Sequence, residues 1–507
     1  MITSPAYDAF AAAYDAGRPQ VIWTTYIADL ETPVSAFLKL AHGRPQSFLF
    51  ESVEGGAVRG RYSMICMKPD LIWRAFGNRS ELNRSARYDP DAYEACEKPP
   101  LDALRDLIAE TRIEDMPPEL PPMAAGLFGY MGYDTVRLVE RLPEPNTDVL
   151  GVPDAVLMRP TIVVIFDSVK DLVTVVTPVR PEPGVSARAA HARACERLAD
   201  VLADFERALP ATGYDTRALE TAIPAPVSNM SKEAYFDMVE RAKEYILAGD
   251  IFQVVLSQRF AVPFPLPPFA LYRALRRTNP SPYMYFLDFD GFSVVGSSPE
   301  ILVRVRDGKV TIRPIAGTRP RGKDEAEDAA LEADLLSDPK ELAEHLMLLD
   351  LGRNDVGRVA EIGSVEVTEE FGIERYSHVM HIVSNVDGKV RGDVDALDAL
   401  QAGLPAGTIS GAPKVRAMEI IDELELEKRG IYGGGIGYFA ANGSMDTCLV
   451  LRTAVVKDGT MYVQAGGGVV ADSTPEGEYQ ETVNKAKAVV RAAEEAVRFA
   501  ASGGRRQ

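Results

Sequence analysis

The chain has 507 residues, 46% apolar and 25% charged, and its 55 Lys plus Arg against 74 Asp plus Glu give a formal net charge of −19. That length exceeds what one hydrophobic core normally organises, so two domains, or one large core with heavy elaboration, are expected, and the apolar content excludes a disordered chain. The negative charge, with no run of five basic residues, excludes nucleic acid as a partner, and the longest apolar stretches, such as residues 160–166, fall far short of the roughly 18–20 residues that cross a bilayer.

The first residues, MITSPAYDAF, hold no basic segment followed by an apolar one, so a cytoplasmic location is expected. Cys66, Cys96, Cys195 and Cys448 are scattered, with no C-x-x-C and no zinc-finger spacing, which fits a reducing compartment.

Along the chain, IVVIF and LVTVVTPV flank Lys170-Asp171 and read as a β-hairpin. Residues 209–229, rich in Pro and Ala, read as a linker. A helix follows, with Ser231 as N-cap, Glu233 in its first turn, Tyr235, Val239, Ala242 and Ile246 on one face, and Gly249 as its stop. Two more hairpins are expected around Asp307-Gly308, between ILVRVR and KVTIRPI, and around Asp458-Gly459, between CLVLRTAVV and MYVQA. Direct hairpins favour antiparallel sheet over a parallel βαβ architecture.

Two acidic helices stand out. In SDPKELAEHLMLLD, residues 339–351 are helical, with Leu342, Leu346 and Leu349 on one face and Glu341, Glu344 and His345 on the other. The second covers residues 475–499, opening at Ser473 with Glu476 placed for a capping box, and aligning Glu478, Glu481 and Lys485. A solvated face explains any single such pair; carboxylates repeated on two helices beside glycine-rich strands suit a hard cation, Mg²⁺ first. The patches at 316–318, 406–408, 433–437 and 466–468 match no P-loop or dinucleotide fingerprint, but bare amides on such turns bind carboxylates. Tight turns and bulges account for about half of these glycines.

Taken in order, FLFESVEGG, GRYS, NPSPYMYF, GSSPE, RPIAGTRPRG, ELAEHLMLLDLGRND, AGTISGAPK, YGGGIGY and PEGEYQETVNKA resemble the chorismate-utilising enzymes, most closely the large subunits of anthranilate synthases. The likeness is weak over 70–230 and dense over 230–490. It implies an α+β fold of mainly antiparallel sheets packed as layers with helices outside (α/β/β/α-like), with an N-terminal domain at 1–210 and a chorismate-binding catalytic domain at 225–504, strands being open to sharing. It also implies Mg²⁺-dependent conversion of chorismate and ammonia to anthranilate and pyruvate, feedback inhibition by tryptophan, and a separate glutamine amidotransferase subunit, since none of the four Cys has the setting of a glutaminase nucleophile.

Motif by motif, the resemblance implies Glu341, Glu344, Glu478 and Glu481 around Mg²⁺. Gly317, Thr318, Thr408, Tyr432, Arg452, Lys485 and the Gly466 and Gly468 amides would meet the substrate. Glu300 would be the general acid for the departing hydroxyl, and His381 would serve pyruvate elimination, although the H-x-x-H formed with His378 leaves a metal pair open. Gln253 stands where water-adding relatives carry Lys, and Ala316 where aminodeoxychorismate synthases, the alternative reading, carry a nucleophilic Lys. Glu51, Ser52, Arg61, Pro282, Tyr283, Met284, Tyr438 and Asp446 resemble the tryptophan pocket of the family, with a domain interface as the plainer alternative.

Overall fold

The computed structural model describes residues 2–27, 29–54, 58–210, 223–376 and 379–503; the centre of the expected linker, residues 211–222, lies outside them, as do His378 and residue 504. Hydrogen bonding joins the twenty-two strands of the described residues into one network. The pairings between strands are antiparallel, as the hairpin-rich sequence requires.

The turns follow their residues. Asp307 and Gly308 (φ 52° and 73°) and Asp458 and Gly459 (φ 50° and 71°) both take positive φ, the conformation of a type I′ turn, and connect Arg306 to Lys309 and Lys457 to Thr460. The hairpin at Lys170-Asp171 closes Asp167 onto Leu172.

Strands from both sides of the expected linker pair with each other. Ser47–Glu54 lies against Tyr283–Phe289, and Gly126–Met131 against Gly435–Ala440. A strand-lined core containing Phe48, Phe128, Tyr130, Met158, Tyr285 and Val294 sits between sheet faces. One flank is covered by helices that include Ala187–Phe205, Pro268–Thr278 and Pro475–Gly503, the other by helices that include Pro100–Thr111, Pro339–Gly357 and Ala396–Gly403. The result is helix, sheet, sheet, helix.

Three sequence expectations need correction. The helix Pro339–Gly357 runs six residues past residue 351, and its buried residues are His345, Leu348, Leu349, Gly352, Asp355 and Val356. Leu346, expected inside, is 56% exposed, whereas His345, expected outside, is fully buried and bonded through Nε2 to Ser384 Oγ at 2.7 Å. A neutral imidazole can be buried once it has a hydroxyl partner, and burial pushes His345 down to about 4. The helix Pro475–Gly503 is capped by Thr474, whose Oγ1 accepts from Gly477 N at 3.2 Å; Ser473 forms no capping box with Glu476 and instead donates to Glu478 Oε1 at 2.7 Å. The helix Lys232–Ala248 matches its signals, with the Ser231 hydroxyl on Ala234 N and Gly249 at φ 85°.

Candidate active site

Glu300 lies just past the strand Phe292–Ser298, its amide bonded to Ser298 Oγ at 3.4 Å and its carbonyl to Leu449 N at 3.0 Å. Only 5% of the residue is exposed. Burial pushes its carboxyl up to about 8, against the opposing pull of the Thr408 hydroxyl, Lys485 and Arg452. Thr408, on the single turn Gly407–Ile409, donates to Glu300 Oε1 at 3.1 Å.

Arg452 faces the same carboxyl. Its φ of 48° lies in the left-handed region that a bulky residue seldom adopts, and its guanidinium has no ion pair or hydrogen bond among the described residues. Burial pulls it down, with Tyr376 and Glu300 opposing. An unpaired cation beside a buried acid is a receptor for an anion.

His381 belongs to the strand Val379–Lys389. Its Nδ1 meets Gly317 O at 2.8 Å and Thr318 Oγ1 at 3.1 Å. The carbonyl can only accept, so Nδ1 carries the proton and Nε2 a free lone pair; Nε2 is buried without a partner. Burial holds His381 down at about 4, so the ring is neutral at pH 7. Gly317 takes φ 68°, and a Cβ there would stand 3.1 Å from Glu341 Oε2.

The glycine-rich strand Thr460–Val469 pairs with Gln253–Pro263, placing Gly468 opposite Val255 and Gly466 opposite Ser257. Here the absence of side chains admits neighbours. A Cβ on Gly467 would be 2.6 Å from Glu478 Oε2, one on Gly468 2.5 Å from Gln253 Nε2, and one on Gly466 2.9 Å from the Tyr432 hydroxyl. Gln253 is 2% exposed and its Oε1 has no partner. Lys485 Nζ donates to Gly466 O at 3.0 Å and pairs with Glu481 at 2.7 Å. Desolvation pulls its ammonium down, but Glu481 more than offsets this and holds it up.

The two acidic helices approach each other here, with Glu481 acting on Glu344, and Lys340 pairs with Asp472, just ahead of the second helix, at 3.6 Å. Glu344 is raised by burial and then by Glu341 and Glu481; Glu478 is raised by burial and by Glu481, with Ser473 opposing. Glu478 Oε2 is buried without a partner, and Arg319 holds Glu341 at 3.2 Å. No group of three His, Cys, Asp or Glu among the described residues stands ready to hold a metal ion. The donor chemistry nevertheless fits a hard cation, since mutually repelling carboxylates with an orphaned oxygen gain most from one.

Sequence reasoning missed Arg319, which also donates to Thr318 O at 3.1 Å, and Tyr376, whose ring stands edge-on to His381 at 5.5 Å. Arg319 lies inside RPIAGTRPRG; its ion pairs with Asp334, Asp338 and Glu341 carry no local sequence signal.

The residues of the expected tryptophan pocket fall in two groups of strands, Ser47–Glu54 with Val58–Phe76 and Tyr283–Phe289, and Gly435–Ala440 with Met445–Leu449. Glu51 registers opposite Met284, and Tyr438 opposite Asp446, whose Oδ1 accepts from the Tyr283 hydroxyl at 3.4 Å. Glu51 takes both arms of Arg276, at 2.6 and 2.9 Å, and the Tyr272 hydroxyl. Arg61 pairs with Asp167 at 3.0 Å, Ser52 packs against Gly60, and Pro282 precedes Tyr283.

Residues 59–491 match the family model of chorismate binding enzymes. The chain is 63% identical over 499 residues, 98% of its own length and 99% of the relative's, to anthranilate synthase component 1 of Cereibacter sphaeroides. The chain belongs to the chorismate-binding enzymes, in the anthranilate synthase component 1 family. Among solved structures it is similar to anthranilate synthase component I from Streptococcus pneumoniae, at 39% identity and a TM-score of 0.74, covering 85% of this chain and 92% of that one. The menaquinone-specific isochorismate synthase from Escherichia coli, at 19% identity, a TM-score of 0.69 and coverage of 96% and 99%, shares the chorismate-binding fold. Among the described residues of this family member, no helix is long and apolar enough to cross a membrane.

Proposed function

We propose that the chain converts chorismate and ammonia into anthranilate, pyruvate and water, with Mg²⁺ as its metal and tryptophan as its feedback inhibitor. The observation that carries this reading is Glu300, a buried carboxyl that keeps its proton up to about pH 8 while facing the unpaired Arg452.

Arg452, Lys485, the Tyr432 hydroxyl, Thr318 and the Gly466 and Gly468 amides bind the carboxylates and orient the ring, in a setting where Gly317 and its neighbours let the ligand approach backbone. Glu300 gives its proton to the C4 hydroxyl, which leaves as water while ammonia bonds to C2. His381 Nε2, neutral and unpartnered, takes the C2 proton in the second stage, when the C3–O bond breaks and the ring becomes aromatic, and the departing enolpyruvate gains a proton at its methylene carbon to become pyruvate. Glu341, Glu344, Glu478 and Glu481 would hold Mg²⁺, which when bound supplies charge neutralisation at the ring carboxylate. Gln253 cannot deprotonate water and Ala316 cannot attack the ring, which disfavours water addition and the aminodeoxychorismate route.

Ammonia comes from a glutamine amidotransferase partner. Cys66 and Cys448 are buried with their thiols pushed up by burial, a poor setting for a glutaminase nucleophile. In the regulatory cleft, Glu51 would share its charge between Arg276 and the amino group of tryptophan, with Met284, Pro282, Tyr283, Tyr438 and Asp446 around the indole and Ser52 and Arg61 at its edge.

The test is fluorescence of the purified chain with chorismate, Mg²⁺ and ammonium near pH 8.5. Anthranilate emission abolished by EDTA and lowered by tryptophan is expected. Consumption of chorismate to a product that retains its enolpyruvyl ether, or no consumption, would overturn the reading.

A further inference from the structure

The helix Ala187–Phe205 roofs a cavity of about 190 Å³ in the N-terminal half. Its floor comes from Asp70, Thr161 and the end of the strand Leu172–Val179, and no residue placed in the chorismate or tryptophan clefts lines it. Five arginines do: Arg193 and Arg197 from the helix, Arg180 just past the strand, and Arg84 and Arg87 from the loop after Arg79–Asn83. In a chain of net charge −19, that is a local reversal of sign.

The carboxylates nearby do not neutralise it. Asp70 is taken by Arg159, which lies outside the cavity, at 2.8 and 3.1 Å; Glu110 takes Arg84 at 2.8 Å; and Glu182 reaches only Arg193, at 3.7 Å. Arg87, Arg180 and Arg197 have no ion pair among the described residues. Arg180 and Arg197 each spend one arm on a carbonyl, Thr111 O at 2.9 Å and Pro178 O at 3.4 Å, and each leaves a buried Nε–H without a partner. Burial depresses both guanidiniums, Arg180 to about 10. Half-buried cations with a buried, unsatisfied donor are unfavourable unless an anion completes them.

We propose that this cavity binds a compact phosphate dianion, either free or as the head of a phosphomonoester. A tetrahedral dianion presents oxygens in several directions and can meet forks from the helix, the strand end and the loop together, whereas a carboxylate offers two oxygens in one plane. The volume is below that of pockets for drug-sized ligands, which suits a small head group.

The experiment is calorimetric titration of the full chain with inorganic phosphate and with glycerol 3-phosphate at constant ionic strength in chloride, repeated on R180Q/R197Q and on R87Q. The proposal expects saturable binding, weakened about ten-fold or more in R180Q/R197Q and by a smaller factor in R87Q, the loss expected when charged hydrogen bonds are removed. Tighter binding of the ester assigns an organic phosphate, and tighter binding of the inorganic ion assigns free phosphate; either supports the site. Should R180Q/R197Q not fold, R87Q, on an exposed loop, carries the test. A heat no larger than that of matched sodium chloride, or binding that R87Q and any folded R180Q/R197Q leave unchanged, overturns it.

Discussion

Thr408 Oγ1 donates to Glu300 Oε1 at 3.1 Å, the only hydrogen bond the Glu300 side chain makes among the described residues. A bond to the charged form lowers a carboxyl, so Thr408 restrains a group that burial drives up to about 8. In the proposed role of Glu300 the acid acts while protonated, so kcat should fall as pH rises through about 8. Thr408→Val removes the restraint and should move that limb to higher pH, measured with ammonia held at constant free-base concentration. An unmoved limb would separate Glu300 from the profile.

Glu300→Gln should lower kcat by about 10² to 10⁴-fold, the range for loss of a general acid. The same exchange should appear in stability. A carboxyl raised from 4.5 to about 8 on folding contributes stability below its unfolded value and loses it as pH rises through the folded value. Wild type should lose stability between about pH 4.5 and 8 relative to Glu300→Gln, read as the difference in denaturation midpoints across that window.

Gly467 is a direct handle on the acidic helices, because a Cβ there would stand 2.6 Å from Glu478 Oε2. Gly467→Ala should raise the Mg²⁺ concentration for half-maximal activity by about ten-fold or more, as displaced ligand environments do. Saturating Mg²⁺ should restore most of kcat. An unchanged Mg²⁺ requirement would remove Glu478 from the metal's surroundings.

Behind the cleft, Arg429 and Glu425 form a buried bidentate pair at 2.6 and 2.9 Å, and Arg429 also donates to Ile409 O and Val255 O, both at 2.6 Å. It thereby ties the Thr408 turn to the strand that carries Gln253. Arg429→Met leaves a buried carboxylate uncompensated and should cost about 3–5 kcal/mol, seen as a lower denaturant midpoint.

What the sequence made legible divides along physical lines. Asp307-Gly308 and Asp458-Gly459 each encode a turn in two residues, and Ser231 with Gly249 encloses a helix, because these signals act within a few residues of backbone. The acidic stripe at Glu341 and Glu344 was readable, yet the opposite face was not: His345 went inside because Ser384, 39 residues on, supplied a partner, and Leu346 was left in solvent. The Arg319 ion pairs and the arginine-lined cavity under the helix Ala187–Phe205 depend on residues brought together only by the sheet, and local periodicity carries no trace of them.

Glu51 gives the last prediction. Its carboxylate already receives both arms of Arg276 and the Tyr272 hydroxyl, and its backbone registers opposite Met284, one residue from the Tyr283 that reaches Asp446. If an inhibitor's ammonium joins that carboxylate, neutralising it removes a charge-assisted hydrogen bond worth about ten-fold or more in affinity. Glu51→Gln should therefore raise the tryptophan concentration for half-inhibition by about that factor while kcat stays close to wild type, because no group placed around Glu300 contacts Glu51. The melting temperature should also fall, since Arg276 keeps its charge and loses its partner. Inhibition curves that superimpose on wild type would leave Glu51 as a structural partner of Arg276 alone.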